Sequence, residues 1–176
     1  MAIRVKVREA YEMVCECTGE GRSVAITATG TSMLPFIRPG DIVTIAPQAG
    51  YRRGDIVLAL VGAGHDVVLH AVISYDGNTY TLMGTANLKL TEAAVGTDIA
   101  GAVVTIERDG RAISTLTPAW CMAMSLWLRL RPLRRPILKT MRIVGLISLI
   151  GPISLISLIS LIGLIGSISP IGLLLC

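Results

Sequence analysis

The chain has 176 residues, is 52% hydrophobic and carries a formal charge of +4, which allows one domain with a real core. Its basic pI of about 9.1 does not describe a basic globular part: residues 1–117 hold all 12 acidic residues against 10 Lys and Arg. The other six basic residues fall between Arg129 and Arg142, and the last 34 residues carry no charge. Three regions follow: residues 1–117, a basic collar over 118–142, and an apolar tail over 143–176. Four cysteines (Cys15, Cys17, Cys121, Cys176) show no C-x-x-C spacing and no histidine at ligand distance. They are expected to be reduced and structural, with no metal or other cofactor. Charges run through "MAIRVKVREAYEMV", so a signal peptide and an N-terminal anchor are not expected.

In chain order, residues 3–18 predict a short amphipathic helix with Val5, Ala10, Met13, Val14 and Cys17 on its apolar side, closed by "TGEG". From Ser23 to Glu107 the texture changes to β-branched runs separated by glycine. "SVAITA", "DIVTIA", "DIVLALV", "DVVLHAVISY", "TYTLMG" and "DIAGAVVTIE" predict six strands, with hairpin turns at "VGAGHD" and "YDGNTY". Short strands with no helix between them predict a compact, mostly antiparallel β domain.

From Ala119 the pattern is again helical, with Trp120, Met124, Trp127 and Leu128 on one side and arginines on the other, interrupted at Pro132 and Pro136. Such a helix either lies on a membrane surface or packs back on the β domain with its arginines solvated. From Ile147 a triplet of Ile, then Ser or Gly, then usually Leu repeats nine times. Three residues advance a helix by 300°, so the repeat keeps no fixed face. It suits lipid, which asks only for apolarity, or is a low-complexity expansion. If it spans, the basic collar keeps the β domain in the cytoplasm, held at the inner membrane by the tail.

Chemistry centres on "TGTSMLPFIRPGDIVTI", residues 29–45. Gly30 and Thr31 let the chain bend at Ser32, presenting its Oγ, while the N–H groups of Ser32 and Met33 become natural oxyanion donors. Pro35 and Pro39 stiffen the far side. Alone, G-x-S mostly marks a plain turn. Few residues could act as base: lysines stand only at 6, 89 and 139, and histidines only at 65 and 70. His65 reads as an exposed hairpin tip, whereas His70 sits within the strand "VVLHAVI".

The ordered blocks "GTSMLPFIRPGDIV", "RRGDIVLA", "VLHAVI" and "LMGTAN" resemble the S24/S26 serine peptidases, the LexA-like and signal-peptidase-I-like family, over roughly residues 21–111. They look most like small stand-alone members from Bacteroides-type bacteria, which share "GRS" and the "LW…LRPLRR" tail. The resemblance implies a LexA/signal-peptidase-like antiparallel β domain with Ser32 as nucleophile and His70 as base, where most members keep lysine. Asp41 and Asp55 are then structural turn residues. Two departures stand out. Histidine-type members carry G-D-x-N after the base strand, and here it is Gly84-Thr85-Ala86-Asn87; Ala71 replaces the usual arginine after the base. Thr85 and Asn87 are therefore the implied supporting residues, with Asp98, Glu92 or Asp66 as carboxylates able to replace the missing aspartate.

The leading expectation is a serine endopeptidase that cuts a peptide or protein substrate, by signal-peptidase-like or leader processing. The alternative is a catalytically impaired peptide-binding module anchored by its tail. No helix-turn-helix precedes the β domain, so nucleic acid is not an expected partner, and lipid headgroups are the nearer anions for the collar.

Overall fold

In a computed structural model the described residues are 2–62, 66–87 and 90–130, with side chains described from residue 7. The expectations for His65, for the collar beyond Leu130 and for the tail fall outside them. The elements are α1 (Ala2–Gly19), β1 (Val24–Thr27), β2 (Ile42–Ala46), β3 (Ile56–Val61), β4 (Asp66–Tyr75), β5 (Thr79–Met83), β6 (Glu92–Val95), a 3-10 turn (Gly96–Asp98), β7 (Ile99–Arg108), β8 (Arg111–Ser114) and α2 (Pro118–Arg129). The sheet runs β1-β2-β7-β3-β4-β5-β6, with β8 also on β7, and every pairing is antiparallel.

The mostly antiparallel β fold is as expected, with eight strands rather than six. β6 ("EAAV") and β8 ("RAIS") are four residues long and poor in β-branched side chains, so their own composition gives little strand signal. They exist because neighbours offer a register: Leu82 pairs with Glu92, and Ile106 with Ile113.

β3 explains why "IVLALV" reads as a continuous apolar run. Ile56 and Leu58 enter one cluster with Val43, Ile45 and Ile106, while Val57, Ala59 and Val61 enter another with Val72, Leu82 and Ala94. Both faces of the strand are covered, so no polar alternation survives. At Asp76-Gly77 the expected hairpin turn forms: Asp76 Oδ1 accepts from the Asn78 and Thr79 N–H groups, and Gly77 has φ +99°.

The face α1 presents is corrected. Met13 is exposed, and the buried stripe is Tyr11, Val14 and Thr18, at i, i+3 and i+7. Tyr11 wins the place because its ring is large and its hydroxyl can still donate to Asp98 O, at 2.9 Å. Cys15, Cys17 and Cys121 are in the reduced thiol form. Thr117 caps α2, accepting from Trp120 N. Of the two placements open to α2, packing on the sheet is the one found: Trp120, Met124, Trp127 and Leu128 are buried in the cluster that holds Met33 and Phe36. No helix among the described residues is long and apolar enough to cross a membrane.

One turn is built twice. In Arg38-Pro39-Gly40-Asp41 and Arg52-Arg53-Gly54-Asp55 the glycines have φ +93° and +97°, and the aspartate Oδ2 accepts from the first arginine's N–H at 2.8 and 2.7 Å. Only glycine adopts that φ without strain, hence the G-D pair. Each turn then docks on another segment by the same two bonds. Gly40 N donates to Ala28 O and Ala28 N to Asp41 O; Gly54 N donates to Val72 O and Val72 N to Asp55 O. Asp41 and Asp55 are thus structural. Asp41 goes further: it is buried, and Arg108 Nε and Nη2 reach its two oxygens at 2.9 and 2.5 Å.

Candidate active site

The Ala28–Asp41 bonds close the neck of a loop that carries Ser32 outward from β1. Ser32 is half-buried while the next residue, Met33, is buried. The loop's carbonyls turn inward. Ser32 O accepts from Ala86 N at 2.8 Å, Met33 O from Phe36 N and Ile37 N, Leu34 O from Thr85 Oγ1 at 2.9 Å, and Phe36 O from Arg108 Nη2 at 2.9 Å. Among the described residues the N–H groups of Ser32 and Met33 make no hydrogen bond.

His70 lies on β4, 4% exposed, beside Val57 of β3. Ala71 pairs with Met83, so the next antiparallel step sets Gly84 beside His70. A Cβ on Gly84 would stand 2.7 Å from Ser32 O, 2.9 Å from Asn87 Nδ2 and 3.1 Å from His70 Nε2. Ser32, the Asn87 amide and the imidazole therefore converge on one glycine, and only a residue without a side chain fits there. Ser32 and His70 also line a single cavity of about 120 Å³, with Met33, Ile37, Val67 and Leu69 among its walls. No hydrogen bond joins Ser32 Oγ to His70 among the described residues.

The other ring nitrogen is held. His70 Nδ1 lies 2.6 Å from Glu92 Oε2, an N–H donating to a carboxylate from β6. Burial lowers the His70 pKa from its ordinary value, and Glu92 opposes that through its charge and hydrogen bond. Desolvation is the larger influence and favours the neutral imidazole, and the carboxylate at Nδ1 favours the tautomer with its proton there and Nε2 as acceptor.

This settles which carboxylate meets the histidine. Of the three candidates Glu92 reaches it. Asp66 stands at the start of β4, four residues before His70. Asp98 lies in the 3-10 turn, where its carbonyl serves Tyr11. Among the described residues no hydrogen bond joins Thr85 to the imidazole: Thr85 is fully buried, its hydroxyl donates to Leu34 O, and its carbonyl accepts from Trp127 Nε1 at 3.0 Å. Because the glycine beside His70 has no side chain, a longer carboxylate can approach from the following strand. A strand reading of "TEAAV" with Glu at its edge was the signal that could have found Glu92. Sequence reasoning gave no role to Trp127 at the site.

Gly84→Ala tests this convergence. The new methyl would clash with a backbone oxygen, so the Ser32 loop must move, and a displacement near 1 Å costs on the order of 100-fold in rate. Reaction of Ser32 with a serine-directed phosphonate should slow by about that factor; a rate within about threefold of wild type would refute the packing.

A buried imidazole held by a carboxylate on one nitrogen, sharing a cavity with a half-buried serine whose N–H and that of the next residue are uncommitted among the described residues, is an arrangement suited to acyl transfer. No curated protein matches the chain. A family model described as Peptidase S24-like matches residues 3–104, more than half of its length, spanning Ser32, His70 and Glu92. With this serine-peptidase-type fold, the chain belongs to the Peptidase S24-like family.

Proposed function

We propose that the protein is a serine endopeptidase in which Ser32 attacks the scissile carbonyl, His70 accepts its proton and Glu92 orients the imidazole. The His70–Glu92 contact carries this reading. It supplies the acid that "GTAN" lacks, and it leaves Nε2 on the side of the Ser32 loop. The Ser32 and Met33 N–H groups receive the oxyanion. His70 then returns its proton to the leaving amine, and water repeats the cycle on the acyl-enzyme.

The substrate is an extended peptide. Ala71 pairs with both Ile56 and Met83, so β3 and β5 flank β4 on opposite sides. Among the described residues, residues 67–70 have β3 on one side and no strand paired on the other, and they line the cavity that holds Ser32. A strand added there gains main-chain hydrogen bonds, with Ala28–Gly30 as the facing wall. The cavity is small and walled by Met33, Ile37, Val67 and Leu69, which favours small apolar side chains next to the cut. Leader or propeptide processing fits that chemistry.

A second reading, a β module that binds such a peptide without cutting it, is favoured by the absence of a Ser32 Oγ–His70 hydrogen bond. Active sites without substrate often hold that pair loosely, so the test is chemical. The full chain is treated with a fluorophosphonate and the adduct located by peptide mass. An adduct on Ser32, lost in Ser32→Ala and greatly slowed in His70→Ala, is expected. A folded wild-type protein that takes no label would leave the binding module.

A further inference from the structure

We propose that α2 and the turn at Gly84–Asn87 form a strut that aims the Met33 N–H at the reacting carbonyl, with Thr85 and Trp127 as positioning residues. This rests on the reading of Ser32 as nucleophile, but its geometry is independent of it. A trans peptide is planar, so the N–H of Met33 points opposite to the C=O of Ser32. Whatever fixes Ser32 O therefore fixes the direction of the Met33 donor. Ala86 N fixes it, at 2.8 Å.

Ala86 is held in turn by its neighbour. Thr85 reaches forward to Leu34 O through its hydroxyl and is held from behind at its carbonyl by the Trp127 indole N–H. Both residues are almost fully buried, so neither bond can be replaced by water without cost. Phe36 closes the arrangement, its ring edge-on to Trp120 and Trp127 with centroids 5.4 and 6.0 Å away. Helix α2 thus reaches the Ser32 loop twice, directly through aromatic packing on Phe36 and indirectly through Thr85, which Trp127 holds. Thr85 stands where histidine-type members carry aspartate. Here its hydroxyl is committed to the loop and the acid comes from Glu92.

The test uses the full chain with Thr85→Val, which keeps the shape and removes the hydroxyl, Thr85→Ser, which restores it, and Trp127→Phe, which keeps a ring and removes the N–H. Two quantities are read: the rate of fluorophosphonate reaction, and amide exchange at Ala86 and Ile37 against global melting. Thr85→Val and Trp127→Phe should slow reaction on the order of 10- to 100-fold. With a peptide substrate the loss should fall on kcat rather than KM. Thr85→Ser should recover most of the rate. The double variant Thr85→Val/Trp127→Phe should be little slower than the worse single one, because the two residues act on one turn. Ala86 should lose protection in both slow variants while distant strands keep theirs. Folded variants that react and exchange like wild type would overturn the strut. If wild type itself takes no label, the nucleophile reading fails instead, and Ala86 exchange alone decides whether Thr85 and Trp127 hold the loop.

Discussion

Glu92→Gln should slow acylation of Ser32 by on the order of 10⁴-fold while the protein stays folded. The amide can still meet His70 Nδ1, but it can present its NH2 to the ring and favour the wrong tautomer, and it cannot stabilise the imidazolium that forms as Ser32 attacks. The pH profile separates this from simple damage. In wild type the reaction needs neutral His70, whose pKa is drawn below its ordinary value of about 6.5 by burial. The rate is therefore flat at neutral pH and falls only on the acid side. Glu92 is the one influence holding that pKa up, so its neutralisation moves the acid limb further down in pH as the plateau drops. Rates of phosphonate reaction between pH 4 and 9 read both effects. An unchanged plateau, or a limb moved towards higher pH, would remove Glu92 from the mechanism.

Arg108→Met has the largest expected effect on stability. Asp41 is 4% exposed and Arg108 9%, and the pair shares two short hydrogen bonds. Taking away the guanidinium leaves a buried carboxylate without its cation, which costs about 3–5 kcal/mol, a large share of the 5–15 kcal/mol that holds a domain together. The Phe36 carbonyl loses its donor as well. Adding Asp41→Asn to Arg108→Met should recover part of the loss, because the neutral amide keeps an oxygen for the Arg38 N–H and removes the stranded charge. Urea unfolding of the two single variants and the double one measures the coupling. A loss below about 1 kcal/mol for Arg108→Met, or a double variant worse than the sum, would contradict this account.

The family, and the meeting of Ser32 with His70 at one cavity, could be read from the chain because they rest on local rules. Gly-Asp marks a turn that only glycine can make, β-branched runs mark strands, and Ser32 and His70 are set by ordered blocks. The identity of the histidine's acid could not be read the same way. It depends on how Glu92 aligns with Leu82 across β5 and β6, and a strand as plain as "EAAV" does not announce its register. The tryptophans of α2 were ambiguous for a related reason. An apolar face beside arginines suits lipid and protein alike, and Phe36, the ring they pack against, lies far away in sequence. Met13 was misassigned because a helix face is chosen by what it meets, here the Asp98 carbonyl that rewards Tyr11.

On the proposed peptidase reading, the side of β4 next to the cavity would also govern which proteins could be processed. Residues 67–69, which line the cavity, would then offer backbone partners to a chain that arrives stretched and unpaired. A segment already coiled into a helix, or already stitched into its own sheet, has spent those groups and cannot enter. The choice of target is then made first by conformation and only afterwards by side chain. Nascent, frayed or unfolded regions would be cut, and the same sequence would be spared once it has folded.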